Sequence, residues 1–162
     1  LPQLELVYMY DQGKGIEVNK EKARYWYSKA KAEVKDNLNL ARVQYHLARI
    51  YDEGKDAVKV VKVNKEKAFY WYTKAAIRGH EYAQYDLARM YDKGDGVEVN
   101  KEEALYWYTK AADWDIAEAM YRLGIMYDEG DGVEKNSKLA SKYFEKAYYL
   151  KFKESCDIFF KE

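Results

Sequence analysis

The sequence predicts an all-α fold, a right-handed α-solenoid of helical hairpins, and three observations carry that expectation. One phrase is written four times, apolar residues inside it fall at helical spacing, and glycine and asparagine stand where one helix must end and the next begin. The copy YDQGKGIEVNKEKARYWYSKAK (Tyr10 to Lys31) matches YDKGDGVEVNKEEALYWYTKAA (Tyr91 to Ala112) at 15 of 22 aligned positions, and two further copies begin at Tyr51 and Tyr127. A unit this short cannot bury its apolar face alone, so stability must come from stacked neighbours. A stack offers one long surface rather than one closed pocket, which favours binding over catalysis.

Residues 1–162 are read as a single repeat domain with units near 1–35, 36–79, 80–115 and 116–151, closed by a capping helix at 152–162. Leu4 to Tyr10 is a truncated first helix. After the glycine pair Gly13/Gly15 the chain turns into a second helix whose apolar face is Ala23, Trp26, Tyr27 and Ala30. Its counterparts are Ala68/Trp71/Tyr72/Ala75, Ala104/Trp107/Tyr108/Ala111 and Ala140/Tyr143/Phe144/Ala147. The first helix of the third unit shows Ala83, Leu87, Met90 and Tyr91 on one face, repeated in the fourth as Ala119, Leu123, Met126 and Tyr127. Gly94/Gly96 and Gly130/Gly132 make the sharp turns between them. The terminal helix would bury Ile158 and Phe159 over the last hairpin.

The asparagines Asn19, Asn64, Asn100 and Asn136 stand 45, 36 and 36 residues apart and are read as N-caps. Asn100 and Glu103 even have capping-box separation. The longer first spacing comes from two insertions: four residues in GKDAVKVVKVN after Gly54, and five in KAEVKDNLNLARV between the first two copies. Asp11, Asp52, Asp92 and Asp128 recur late in the first helices, where a carboxylate opposes the helix dipole. Each is expected to accept hydrogen bonds from loop N–H groups or from a neighbouring Lys.

Composition removes several classes. Apolar residues make up 48% of the chain, ample for a core, while Lys plus Arg and Asp plus Glu balance at 28 each with the signs interspersed. No basic field exists to bind nucleic acid by counterion release. No apolar run approaches a membrane span. A soluble protein of the bacterial cytoplasm or periplasm is expected, and the Leu-Pro start leaves room for a removed leader or an excised piece. Cys156 is the single cysteine and reads as a core residue.

The remaining motifs carry no catalytic or ligand-binding pattern. The glycine pairs follow helices rather than strands, and no Gly-Lys-Ser/Thr completes a phosphate loop. Asp128 to Gly132 has glycines where a calcium loop needs oxygen ligands. His46 and His80 lie in different hairpins with no carboxylate or cysteine at metal-ligand spacing and are expected on the surface. No nucleophile and base converge around the four serines. No metal, cofactor or small-molecule substrate is expected.

The pattern A-x-x-x-L-[AG]-x-M-Y-D-x-G-D-G-V-E-x-N-x-x-x-A-x-x-[WY]-[YF]-x-K-A resembles the Sel-one-like repeat family, a branch of tetratricopeptide-like solenoids. The resemblance covers essentially the whole chain and implies an adaptor that holds protein complexes together. One bacterial branch is rich in cysteine pairs; this chain lacks them, so that branch's disulfides and penicillin-related properties do not carry over.

In hairpin solenoids the first helix of each unit lines the concave side. Positions around the core leucines there place Tyr8, Arg42, Tyr45, Arg49, Tyr82, Tyr85, Arg89, Tyr121 and Ile125 in a partner-binding groove. Glu118 occupies the position of Arg42 and Tyr82. Tyr and Arg are frequent binding anchors. Tyr45, Tyr85 and Tyr121, identical across copies, read equally well as packing residues, whereas Arg49 and Arg89 read as clamps for a carboxylate-bearing peptide or an acidic patch. The expected function is a non-enzymatic scaffold binding a peptide or folded protein in that groove. Two other readings stay open on residues alone. One is a passive structural segment of a longer array, told apart by further repeats beyond Leu1 or Glu162. The other is a hydrolase-type enzyme, which would need a turnover that survives purification.

Overall fold

Four asparagines start four helices. In the computed structural model, which describes residues 6, 7, 9, 10, 19–33, 37–54 and 63–150, the side-chain oxygens of Asn19, Asn64, Asn100 and Asn136 accept from the N–H groups of Lys22, Lys67, Glu103 and Leu139 at 2.9, 2.8, 3.1 and 3.0 Å. Each satisfies one orphan donor of a first turn. The same asparagines donate their backbone N–H to the carbonyls of Tyr10, Tyr51, Tyr91 and Tyr127 at 2.8, 2.9, 2.9 and 2.7 Å, closing each loop identically. The second copy keeps this bond despite its insertion. Glu103 does not complete a capping box: its carboxylate instead accepts the Trp107 indole N–H at 3.2 Å.

Seven helices and no strand occur among the described residues. They are α1 (Lys20–Glu33), α2 (Asn37–Glu53), α3 (Lys65–Ile77), α4 (Glu81–Lys93), α5 (Lys101–Ala112), α6 (Ala117–Glu129) and α7 (Ser137–Tyr149). The fold is the all-α hairpin repeat expected. Tyr8, Cys156, the Gly13/Gly15 turn, Asp11 and the capping helix at 152–162 lie outside the described residues, as does most of the insertion after Gly54.

The described residues fall into two compact units, one within Leu1–Ala83 and Asp95–Val97, the other within Gln84–Gly94 and Glu98–Glu162. In the first, α2 packs on α1 and α3, and Val7, Ala23, Tyr27, Val43, Leu47 and Ile50 form a cluster edged by Trp26 and Trp71. In the second, α6 packs on α5 and α7 around Tyr108, Ala111, Met120, Leu123 and Met126. Alanines at the repeated small positions, among them Ala68, Ala75, Ala104 and Ala111, are wholly inaccessible, which is what lets the helices approach closely.

The recurring aspartates find the expected partners where a lysine is present. Asp52 accepts from Lys65 Nζ and from the buried Tyr72 hydroxyl at 3.2 Å. Asp92 does the same with Lys101 Nζ at 2.6 Å and the Tyr108 hydroxyl at 3.4 Å. In the fourth copy Ser137 and Phe144 replace the lysine and tyrosine, and Asp128 is exposed. Burial holds the Tyr108 phenol well above its usual range, with Asp92 adding to the effect.

The second glycine of each loop answers two demands at once. Gly96 and Gly132 have φ of +74° and +72°, and a Cβ on either would stand under 3.0 Å from Lys65 or Lys101, at the start of the preceding repeat's second helix. Lys101 Nζ also reaches Asp131 in that loop at 2.6 Å. Burial lowers the Lys101 pKa, but hydrogen bonds and charge from Asp131 and Asp92 outweigh it and leave the pKa raised. The turn between α3 and α4 passes through Gly79 at φ +86°; the equivalent turn in the next copy holds Asp115 at φ +57°.

Candidate functional site

The first helices carry the expected residues on one face. On α2, Arg42 is exposed, Tyr45, His46 and Arg49 are half-buried, and Glu53 is exposed, a stripe at helical spacing. Arg49 Nη2 lies 2.6 Å from Glu53 Oε1, and its Nε donates to the same oxygen at 2.7 Å. Tyr45 stacks on His80, with centroids 4.2 Å apart and planes at 22°. The exposed Tyr82 ring stands 6.4 Å from Tyr45.

His80 corrects the expectation of a surface histidine. It is only 7% exposed, and in the next copy the same position is Ile116, also 7% exposed. An imidazole thus occupies a slot that also suits a branched aliphatic chain. Its Nδ1 accepts the Ala83 N–H at 3.3 Å and so caps α4, a bond that needs Nδ1 unprotonated. Burial, helped by nearby His46 and Arg42 and opposed by Glu81, lowers its pKa to about 4. His46, although in a different hairpin, is close enough to act on His80.

In the other unit, α4 and α6 carry stripes of their own. Arg89 Nε meets Asp86 Oδ1 at 3.4 Å. Tyr85 is surrounded electrostatically by Arg122, Asp86, Glu118 and Arg89, while burial is the main cause of its raised pKa. Ile125 and Tyr121 are half-buried.

The three identical tyrosines make one contact three times. Tyr45 meets Tyr72 at 5.9 Å and 49°, Tyr85 meets Tyr108 at 5.8 Å and 51°, and Tyr121 meets Phe144 at 5.7 Å and 56°. Each braces its own hairpin and keeps part of its ring exposed. The variation lies beside them: His46, Asp86 and Arg122 share one repeat position, which sequence reasoning did not single out. Setting the copies in register would have shown it.

Sequence reasoning also missed the outer faces of the second helices. Tyr25, Tyr70 and Tyr106 are 54%, 52% and 52% exposed. Each stands edge-on to its following tryptophan, at 5.3, 5.0 and 5.0 Å. Lys29, Lys74 and Lys110 lie over these rings at 5.8, 5.4 and 5.6 Å. No group of three His, Cys, Asp or Glu among the described residues is placed to hold a metal ion, and no described helix is long and apolar enough to cross a membrane.

Comparison with known proteins places this geometry. The family model described as Sel1 repeat matches residues 3–33, 41–80, 81–113 and 117–152. No curated protein matches the chain. Among solved structures, a Sel1 repeat protein from Oxalobacter formigenes is similar with a TM-score of 0.83 and 31% identity, over 97% of this chain and 61% of that one. The c5321 protein, a protective antigen in uropathogenic Escherichia coli strains, is described as displaying an SLR fold. It is similar with a TM-score of 0.84 and 31% identity over 96% of this chain. This chain spans only 32% of it. Helicobacter pylori cysteine rich protein B gives a TM-score of 0.58 and 28% identity over 77% of this chain and 96% of its own.

Proposed function

The chain belongs to the Sel1 repeat family, whose members generally serve as non-enzymatic protein–protein interaction modules, and on that premise we propose that the first-helix faces hold a segment of a protein partner. The single observation behind the site is the division of labour on those faces. Tyr45, Tyr85 and Tyr121 repeat one bracing contact, while the exposed or half-exposed positions beside them change from copy to copy. A scaffold requires the first set and leaves the second free to specify a ligand.

Arg49 and Arg89 are the anchors of this reading. Glu53 and Asp86 hold them against their helices, which reduces the side-chain freedom a partner must freeze out. A partner carboxylate would exchange with Glu53 or Asp86 for a planar guanidinium suited to bidentate pairing. Arg42 and Tyr82 are the variable positions of this reading in the first unit and Ile125 in the second.

The test is affinity capture comparing the intact chain with an Arg49→Glu, Arg89→Glu variant of unchanged helicity and melting. A protein retained by the intact chain and lost by the variant supports the first-helix site. Equal retention by both refutes it.

A further inference from the structure

The repeats act as their own control for what the fold requires. At three outward positions of the second helices the first three copies read Glu21/Tyr25/Lys29, Glu66/Tyr70/Lys74 and Glu102/Tyr106/Lys110. The fourth reads Lys138/Lys142/Lys146. Two of the three residues have changed, both to lysine, at positions where the copies otherwise agree. All three lysines are exposed, as is Lys135 just before the helix.

Among the described residues no packing contact accounts for the change. In the sister copies the third-position lysine lies over the exposed tyrosine; in α7 that tyrosine is Lys142, so Lys146 has no such ring. Among the described residues none of these lysines makes an ion pair. Like charges at i, i+4 and i+8 destabilise an isolated helix slightly, so the row is a local cost that the other copies avoid. Tyr149, one turn further on the same face, is 72% exposed.

We propose that the Lys138, Lys142, Lys146 and Tyr149 face of α7 is a docking surface for an acidic helix of a protein partner. Residues four apart on a helix are separated by about 6 Å along the axis and about 40° around it, so the lysines form a gently winding row about 12 Å long. Carboxylates at the same interval on another helix match it in charge and spacing. Tyr149 supplies an amphipathic anchor at one end. Exposed Glu145 beside the row and the neutral balance of the whole chain fit a short carboxylate segment better than a polyanion or a lipid surface, which reward a broad positive field.

The probe is a synthetic helical peptide with glutamates at every fourth position, titrated into the isotopically labelled chain and read by amide NMR shifts. The shifts are expected along α7, should weaken with salt, and should vanish with a glutamine version of the peptide. Lys138→Glu, Lys142→Tyr restores the residues of the sister copies, so the helix tolerates them, and should weaken binding about tenfold. The neutral pair Lys138→Gln, Lys142→Gln should weaken it less. Shifts confined to α2 and α4 would overturn the proposal without touching the first-helix reading. Equal affinity of the variants would overturn it, as would vesicles of phosphatidylserine and phosphatidylcholine, or a DNA duplex, shifting α7 more strongly than the peptide does.

Discussion

Acid should loosen this protein through His80, and the effect can be worked from the structure. The folded pKa is lowered to about 4 from 6.5, so the folded state resists a proton that the unfolded chain accepts. The contribution is fully present above pH 6.5 and is lost as pH falls towards 4. At about 1.4 kcal/mol per tenfold change the ceiling is about 3 kcal/mol, of which about 2 kcal/mol is gone by pH 5. The cause is local: protonation places a charge in a slot that is 7% exposed and removes the acceptor for the Ala83 N–H. His80→Asn keeps a capping side chain that does not titrate. Urea unfolding followed by circular dichroism at pH 7.5, 6 and 5 should show the variant less stable at pH 7.5, because the Tyr45 stack is lost. Its loss of stability between pH 7.5 and 5 should be smaller by about 2 kcal/mol. Carboxylates titrating in both proteins cancel in that difference. Parallel losses in the two proteins would refute the assignment.

Three further outcomes test the turns. Gly79→Ala meets nothing within 4 Å, so its cost is the left-handed backbone alone, about 1–2 kcal/mol. Gly96→Ala has the same strain plus a collision with Lys65 backbone atoms that cannot swing aside, and its melting temperature should fall clearly further. Asp115→Gly removes a side chain from φ +57° and should stabilise by about 0.5–1 kcal/mol in chemical unfolding.

Much of this fold was legible because each rule was written several times. The Asn caps, the left-handed glycines and the apolar faces rest on local chemistry, and repetition separated them from accident. The pairing of Asp52 and Asp92 with lysines followed from the dipole argument, since a carboxylate late in a helix needs compensation. His80 was not legible from its own type, because histidine is common on surfaces; its register with Ile116 was the available signal. The capping box is absent because the Asn100 N–H that it needs is given to the Tyr91 carbonyl, leaving the Glu103 carboxylate to accept from Trp107. On the candidate site, helical spacing gave the face of Arg42, Tyr45 and Arg49. It could not give the brace of each tyrosine against its own hairpin, which depends on the second helix, nor the charges gathered around Tyr85.

The copies also divide structure from recognition more finely than burial does. Tyr106 is about half exposed yet belongs to a pattern kept in three copies, with its tryptophan edge and lysine cover in place. Exposure alone would list it among recognition residues, whereas repetition assigns it to the framework of the helix. Lys142 stands at the same position with neither contact, and its neighbours Lys138 and Lys146 add charge instead of offsetting it. A framework position abandoned in one copy, at some cost to its helix, needs a reason outside that helix. The same reasoning separates Tyr45, Tyr85 and Tyr121 from the changing row of His46, Asp86 and Arg122 beside them, so partner specificity in this chain is to be sought where its repeats disagree.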